Sequence, residues 1–285
     1  MRSLWNAYDY LASAVARPAT WRRFLSRSVG DEYGITRAQK LRLLRQIHRN
    51  ASHITSGTNV DEHLMLVERI LSLPRELKGD VVECGCFKGS STTSLSLACK
   101  LTGRRLIVCD SFQGLPEVAD DDRIHVSLHH RRYETYQKGE YSGTLGEVKE
   151  NLRQYGALDV CDFVEGYFED SLPQVAGQFA FIFLDVDLHE SLKTCLRYLW
   201  PQLEDGGYLY THEAQQLAFA SLFFDRQWWH EQLDCAEPGL VGAGIGLPTG
   251  IACGSALGYA MKSSQSVTEN AAFTRFCGDP TLAAS

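Results

Sequence analysis

The sequence lacks several features that would assign it to a specialised class of protein. No apolar run approaches the ~18 residues of a membrane span, and the only compact apolar stretch near the start is residues 11–16. We therefore expect neither a signal peptide nor a membrane anchor. Internal repeats are absent as well. With 44% hydrophobic and 22% charged residues among 285, the chain has the composition of a globular protein with a full core.

Cysteine pairs with the spacing of a zinc site are also missing. The nine cysteines include no C-x-x-C pair and no cluster with histidine. Most of them lie in apolar runs such as residues 81–86 and 106–109, where cysteine behaves as a small hydrophobic residue. We therefore predict reduced thiols and a cytoplasmic location.

Positive charge is in short supply. The chain has 28 Lys and Arg against 35 Asp and Glu, a net charge of −7, which argues against general nucleic-acid binding. Ten of the basic residues but only three of the acidic ones fall within residues 1–50. This basic segment is either an arm that contacts phosphate or a membrane surface, or a solvated helix that rests on its own acidic domain. Its helical spacing favours the second interpretation.

The pattern divides the chain near residue 54. Helices are predicted at 36–48 and 60–73, before any strand. We predict that residues 1–54 form an N-terminal helical appendage that serves as a lid, and that residues 55–285 form one domain. The polar segment 117–143 is too long for an ordinary connection, so we predict an insertion that covers a site.

After Gly79, short apolar runs alternate with helical segments. The runs are almost continuously apolar, as strands buried on both faces are. Strands are predicted at 80–84, 106–109, 160–164, 179–184 and 207–210, and helices at 90–101, 144–155 and 191–200. A helix at 214–233 and a strand at 257–261 follow. The alternation predicts an α/β fold with a doubly wound, mostly parallel sheet of the Rossmann type.

In such a sheet the ligand binds beyond the carboxyl ends of the strands. At the carboxyl end of the first strand lie Glu83, Gly85 and Gly89, which form a glycine turn that leads into a helix. The turn has the spacing G-x-x-x-G and not the G-x-G-x-x-G of nicotinamide cofactors. The carboxylate of Glu83 suits a ligand with a positively charged end, such as S-adenosylmethionine. Asp110, 25 residues after Gly85, follows the second strand and is suited to accept ribose hydroxyls.

Later strand ends carry further polar side chains. Gly166 and an aromatic residue follow the third strand and are suited to face an adenine ring. Asp185 and Asp187 follow the fourth strand, and His212 comes after the fifth. Carboxylates buried at a strand end are costly unless they bind a metal, a proton or a hydroxyl. Asp187 is interpreted as a helix N-terminal residue and not as a ligand.

Together these motifs resemble one known enzyme family. In chain order they are Glu83, Gly85 and Gly89; residues 110–112 with 114–116; Gly166, Phe168, Leu172 and Pro173; Asp185, Asp187, Leu188, Glu190 and Ser191; and Gly206 with Gly207. Over about residues 55–215 the pattern is similar to the macrocin O-methyltransferase family. These are class I enzymes that depend on S-adenosylmethionine and methylate hydroxyls of natural products.

The resemblance implies a set of binding residues. For S-adenosylmethionine these are Glu83, Gly85, Phe87, Lys88, Gly89, Ser90, Asp110, Ser111, Phe112, Gly166, Phe168 and Asp185. The family also implies a magnesium ion, held by the first Asp and by a later Asp-Asp pair. At the positions of that pair the sequence has His212 and Glu213. We therefore expect a divalent ion at Asp185, His212 and Glu213, either magnesium or, because imidazole suits other metals better, manganese or another ion.

These observations lead to one hypothesis and two alternatives. The hypothesis is a metal-assisted O-methyltransferase that acts on a sugar or phenolic hydroxyl of a natural product or glycoconjugate, with Asp185 and His212 as catalytic residues. We expect a homodimer with a small-molecule partner and no nucleic acid. The first alternative is a protein that binds S-adenosylmethionine in a degenerate site. The second is an NAD-dependent oxidoreductase, against which the missing G-x-G-x-x-G counts.

Overall fold

The computed structural model describes residues 19–122, 124–127, 132–249 and 255–263. The first 18 residues of the predicted appendage, the tip of the insertion and residues 264–285 lie outside the described residues. The helices are α1 (Arg37–His53), α2 (Val60–Leu71), α3 (Ser90–Thr102), α4 (Leu145–Tyr155), α5 (Phe168–Ser171), α6 (His189–Leu199), α7 (Leu217–Leu222) and α8 (Arg226–Leu233). The strands are β1 (Asp80–Cys84), β2 (Leu106–Asp110), β3 (Ile124–Ser127), β4 (Arg132–Thr135), β5 (Cys161–Glu165), β6 (Phe179–Leu184), β7 (Leu203–Thr211) and β8 (Gly258–Met261).

Six strands form the central sheet in the order β5-β2-β1-β6-β7-β8. All neighbouring pairs are parallel except β7 and β8, which are antiparallel. The strand order reverses between β1 and β6, and this is the point where doubly wound sheets bind ligands. At that point Cys84 pairs with both Cys109 and Leu184, so three strands end at the same level. The predicted fold class is confirmed.

The sheet is covered on both faces. On one face, residues 19–54 and α2 and α3 share a core with the sheet, in which Phe24, Ile47 and Leu64 are completely buried. On the other face, α6, α7 and α8 bury Leu192 and Trp229. The described part of the predicted appendage is therefore joined to the sheet by a continuous apolar core. The division of the chain at residue 54 stays a prediction.

The single helix predicted at 214–233 is wrong, because two helices occupy this segment. α7 ends at Leu222, and Asp225 starts α8 by accepting a hydrogen bond from the backbone N–H of Trp228 at 3.0 Å. The indole of Trp229 donates to the carbonyl of Leu222 at 2.8 Å, so it fills the gap between the two helices. The apolar pattern continues across this corner, and for that reason it did not reveal the break.

The insertion at 117–143 contains a hairpin of β3 and β4 that is separate from the central sheet. Before the hairpin, Asp122 accepts hydrogen bonds from the backbone N–H groups of His189 (2.8 Å) and Glu190 (3.1 Å). A carboxylate at the start of α6 stabilises that helix and fastens the insertion to the ligand-binding edge of the sheet. Among the described residues, no helix is long and apolar enough to cross a bilayer.

Candidate functional site

A cleft of about 1070 Å³ opens at the carboxyl edge of the sheet, where the strand order reverses. Its wall includes most of the residues predicted to bind S-adenosylmethionine: Gly85, Phe87, Ser90, Asp110, Ser111, Gly166, Phe168 and Asp185. They come from the ends of β1, β2, β5 and β6. The structure thus brings residues from four separate motifs to one cavity.

Four predicted binding residues lie behind the wall: Glu83, Lys88, Gly89 and Phe112. Glu83 is fully buried beneath the glycine turn, and its Oε1 accepts a hydrogen bond from the Ser91 hydroxyl at 2.6 Å. Burial raises the pKa of Glu83 to about 8. Gly89 has a φ of +84° and caps the N-terminus of α3, and Lys88 pairs with Glu147 at 3.2 Å. In this structure these residues support the turn and do not line the cleft.

Asp110 fixes the glycine turn to the end of β2. Its Oδ2 accepts hydrogen bonds from the backbone N–H groups of Cys86 (2.7 Å) and Phe87 (3.3 Å), and its Oδ1 accepts one from Phe112 (2.7 Å). Burial is the main cause of a raised pKa at this carboxyl, partly offset by those N–H groups. The sequence predicted a contact with ribose, and the structure adds a role in shaping the turn.

Gly85 is the point of closest approach between the two sides of the cleft. It has a φ of +82°, and a Cβ at this position would overlap the carbonyl oxygen of Asp185. Only glycine adopts this positive φ without strain and also leaves room for the Asp185 carbonyl. The turn after β1 and the end of β6 are therefore in direct backbone contact, and the N–H of Asp185 also donates to the carbonyl of Cys84 at 2.9 Å.

On the far side of the cleft, three carboxylates come together. One oxygen each from Asp185, Asp187 and Glu213 lies within 4.8 Å of the others. Glu213 is buried; its Oε1 accepts from the backbone N–H of Val186 at 2.9 Å, and its Oε2 accepts from the Thr211 hydroxyl. Burial and then the charge of Asp185 raise the pKa of Glu213.

This cluster differs from the predicted metal set in one member. Asp187 belongs to it and His212 does not. Asp187 has a φ of +59° and lies before α6, which begins at His189 with Leu188 as its N-cap. The interpretation of Asp187 as a helix N-terminal residue is corrected accordingly, because Asp122 meets the first N–H groups of α6 instead.

His212 lies between two carboxylates. Its Nδ1 is 3.2 Å from Oδ1 of Asp185, and its Nε2 is 3.4 Å from Oε2 of Glu62. Burial by itself would lower the pKa of His212, but the charges of Asp185 and Glu62 outweigh burial and hold this pKa well above the usual value. Both ring nitrogens are thus directed at acidic oxygens, which favour the protonated form of the ring.

Glu62 was missed by the sequence analysis as a residue of the site. It lies in the first turn of α2, where an acidic residue is expected to stabilise the helix end. With Asn59 it forms a capping box, and that N-x-x-E spacing is the only signal it leaves in the sequence. The contact with His212 spans 150 positions, so local pattern does not reveal it.

The insertion and the neighbouring loops supply an aromatic wall. The rings of Phe87 and Tyr141 are 5.9 Å apart, and those of Tyr136 and Tyr141 are 6.4 Å apart. Gln216, which follows β7, donates a hydrogen bond to the hydroxyl of Tyr136 at 3.0 Å. The described part of the lining contains no Lys or Arg, but it has seven acidic residues: Asp61, Glu62, Asp110, Glu169, Asp185, Asp187 and Glu213.

Comparisons with known proteins agree with this geometry. Residues 48–226 match the family model described as macrocin-O-methyltransferase (TylF). The 8-demethyl-8-(2,3-dimethoxy-alpha-L-rhamnosyl)-tetracenomycin-C 4'-O-methyltransferase of Streptomyces olivaceus is 34% identical over 174 residues, which are 59% of this chain and 65% of the relative. The demethyldecarbamoylnovobiocin O-methyltransferase of Streptomyces niveus is 34% identical over 140 residues, 46% of this chain and 51% of the relative.

The solved structure of the O-methyltransferase NovP covers 88% of this chain and 99% of its own, with a TM-score of 0.54 and 20% identity. That likeness shows the class I methyltransferase fold. The matched segments of the relatives span between half and two thirds of their own lengths. The family model, in contrast, covers well over half of this chain. The chain belongs to the macrocin O-methyltransferase family.

Proposed function

We propose that this protein transfers the methyl group of S-adenosylmethionine to a sugar or phenolic hydroxyl of a natural product or glycoconjugate. One observation carries the proposal: a glycine turn for the donor and an acidic group with a histidine face the same cleft. The matched relatives are named as O-methyltransferases of a rhamnosyl-tetracenomycin and of demethyldecarbamoylnovobiocin. Their names support a glycosylated or phenolic acceptor.

The donor side of the cleft fits S-adenosylmethionine. The hydroxyl of Ser90 lines the cleft, is buried, and has no hydrogen-bond partner among the described residues. Such an atom is costly unless a ligand satisfies it. The Glu83 carboxyl group lies buried below the same turn with a raised pKa, and a ligand with a positively charged end would favour its ionised form. Gly85 allows the backbone to approach the ligand closely.

On the acceptor side, Asp185 is the leading candidate for the base. Bound S-adenosylmethionine supplies an electrophilic methyl group on a sulfonium. The acceptor oxygen forms a bond to the methyl carbon as the carbon–sulfur bond breaks, and Asp185 receives the hydroxyl proton. His212 orients Asp185 at 3.2 Å and is the second catalytic candidate. The protein's task is to hold donor and acceptor in line and to exclude water.

The family implies a divalent ion, and three side chains fit one. Asp185, Asp187 and Glu213 offer carboxylate oxygens, the ligands that magnesium and manganese prefer. A cation would also relieve the repulsion that Glu213 receives from Asp185. We propose these three as ligands in place of the set with His212, whose nitrogens both face carboxylates. The ion would orient the acceptor oxygen and lower its pKa.

The acidic lining favours an acceptor without phosphate. A nucleoside diphosphate sugar would carry negative charge into a wall in which the described charged groups other than His212 are carboxylates. We therefore propose a finished glycoside or phenol as the acceptor. A comparison of one sugar presented as a neutral glycoside and as its nucleoside diphosphate, with methyl transfer as the readout, tests this choice. Preferential turnover of the nucleotide form would contradict it.

Two measurements test the function as a whole. Calorimetric titration with S-adenosylhomocysteine and with NAD separates a methyltransferase from an oxidoreductase. Turnover on a panel of glycosides and phenols then separates an enzyme from a degenerate binder. We expect S-adenosylhomocysteine to bind, NAD not to bind, and at least one acceptor to be methylated. Binding without turnover on any acceptor would favour the degenerate site.

The metal is tested separately. Protein purified without chelator is analysed for bound metal, and activity is then measured after EDTA and after return of magnesium, manganese or zinc. Asp187→Asn should reduce the bound metal, whereas Asp159→Asn, a change at an exposed ion pair with Lys100, should not. Activity that is indifferent to EDTA, with no copurified ion, would exclude the metal and leave Asp185 or His212 as base.

We also propose a cytoplasmic homodimer. Seven cysteines in the described part of the chain are free, and six of them are buried, as expected for a protein kept in reducing conditions. Light scattering on the purified protein tests the dimer. A monomer that turns over acceptor at full rate would contradict it.

A further inference from the structure

Glu62 joins three segments that border the cleft. Its Oε2 accepts a hydrogen bond from the backbone N–H of Asn59 at 2.8 Å, and its Oε1 accepts one from Ala256 at 2.8 Å. The third contact is Nε2 of His212, 3.4 Å from Oε2. The side chain is 3% exposed, so its charge is held inside the protein and balanced by these partners.

The His212 ring is therefore fixed from both sides. Glu62 faces Nε2, and Asp185 faces Nδ1. A histidine side chain can rotate about two bonds, and two carboxylates on opposite ring nitrogens restrict both rotations. Helix capping explains the bond to Asn59. It does not explain why the other contacts of Glu62 reach the end of β7 and the loop at Ala256.

We propose that Glu62 is a positioning residue for methyl transfer: it holds the His212 ring so that the ring orients the Asp185 carboxylate toward the acceptor hydroxyl. This inference rests on the proposed function. The arrangement is a row of three groups, Glu62–His212–Asp185, in which Glu62 acts on the reaction through the other two. Hydrogen-bonded partners behind a reacting group commonly matter because they fix its orientation before reaction.

The test is Glu62→Gln. Glutamine keeps the length of the side chain and still serves a capping box, but it removes the negative charge opposite His212 and turns its NH2 group toward the N–H of Ala256. We expect kcat to fall about 10- to 100-fold, with the affinity for S-adenosylhomocysteine and the KM for the acceptor changed by no more than about threefold. Glu68→Gln is the matched control, on the same helix but paired with Arg23 at the surface. It should leave kcat unchanged.

A double-mutant cycle shows whether Glu62 acts through His212. In a His212→Asn background, Glu62→Gln should cause little further loss of kcat, because the ring that it positions is gone. Independent, multiplying losses would overturn the proposal. So would an equal loss of S-adenosylhomocysteine binding in the single variant, which would indicate a purely structural role.

If the Gln variant does not fold, Glu62→Asp takes its place, with folding monitored by thermal unfolding. Aspartate keeps the charge but is one methylene too short to meet His212 in the same geometry. A lowered kcat with intact donor binding would support the proposal, and an unchanged kcat would overturn it. A wild-type protein that binds S-adenosylhomocysteine but methylates no acceptor would instead contradict the proposed function.

Discussion

The two sides of the cleft are built in different ways. The donor side, residues 83–112, is held by backbone: one carboxylate, Asp110, accepts three N–H groups, and Gly85 allows the tight turn. The acceptor side is held by side chains that meet across long stretches of sequence, with Glu62, His212 and Asp185 in a row. A turn held by backbone hydrogen bonds depends on local sequence spacing, whereas a network of side chains depends on the whole fold.

The two sides also differ in how their negative charge is balanced. On the donor side, neutral N–H groups stabilise Asp110, so that this half can form without a second charge. On the acceptor side, Asp185 lies near two other carboxylates and the His212 ring. The acceptor side therefore depends on His212 and on any bound cation, and a single substitution there should change chemistry more than it changes shape.

The largest effect is expected where the two sides touch. Gly85→Ala should destabilise the protein by about 3 kcal/mol or more and remove both donor binding and turnover, because the added methyl collides with backbone at a positive φ. Gly103→Ala is the control: it has a φ of +72° with open space around it and should cost roughly 1 kcal/mol. Chemical denaturation measures both. Equal losses of stability in the Gly85→Ala and Gly103→Ala variants would show that the backbone contact at Gly85 can adjust to a methyl group.

Asp185→Asn should impair the chemistry of the acceptor side and leave donor binding intact. We expect kcat to fall by about 10²- to 10⁴-fold, the usual contribution of a positioned base, with binding of S-adenosylhomocysteine nearly unchanged. Calorimetry and steady-state kinetics on the same preparation give both numbers. Full activity in this variant would contradict the role of Asp185 as the base.

Asp110→Ala is the reverse experiment on the donor side. Loss of a charged acceptor leaves three backbone N–H groups without a partner and should weaken donor binding by about 1–3 kcal/mol. At saturating donor, kcat should be largely retained. Asp162→Ala, at an exposed ion pair with Arg105, serves as the control in the same calorimetric titration. Unchanged affinity in the Asp110 variant would contradict its place in the donor site.

The donor side of the cleft could be predicted from the sequence better than the acceptor side. The strands of the central sheet and the glycine turn were predicted because apolar runs and glycine spacing are local. Asp187 was assigned to a helix end and Glu62 was missed, because their contacts with Glu213 and His212 depend on pairings of distant segments. The break between α7 and α8 was also missed, since both helices continue one apolar pattern. Short-range sequence patterns are enough to predict the strands and the glycine turn. The side-chain network of the acceptor side is revealed only by the folded structure.

The smallest effect concerns the scaffold beneath both sides. His63 is fully buried, with Nε2 at 2.7 Å from the Thr58 hydroxyl and Nδ1 at 3.1 Å from the Ser94 hydroxyl. It thus joins the loop before α2 to α3, and burial lowers its pKa to about 4. In the unfolded chain this histidine titrates near its ordinary value of about 6.5. Its contribution to stability is therefore complete above pH 6.5 and is lost as the pH falls toward 4.

Between pH 7 and pH 5.5 the stability contributed by His63 should fall by about 1 kcal/mol. Glu83, whose raised pKa acts with the opposite sign over this range, titrates as well. The test is therefore the difference in urea denaturation between the wild type and His63→Gln at the two pH values, with the exposed His230→Gln as control. Glutamine keeps a hydrogen-bonding group without the titration, so the variant should lack this pH-dependent loss. An identical pH dependence in both proteins would show that His63 takes up a proton in the folded state as easily as in the unfolded chain.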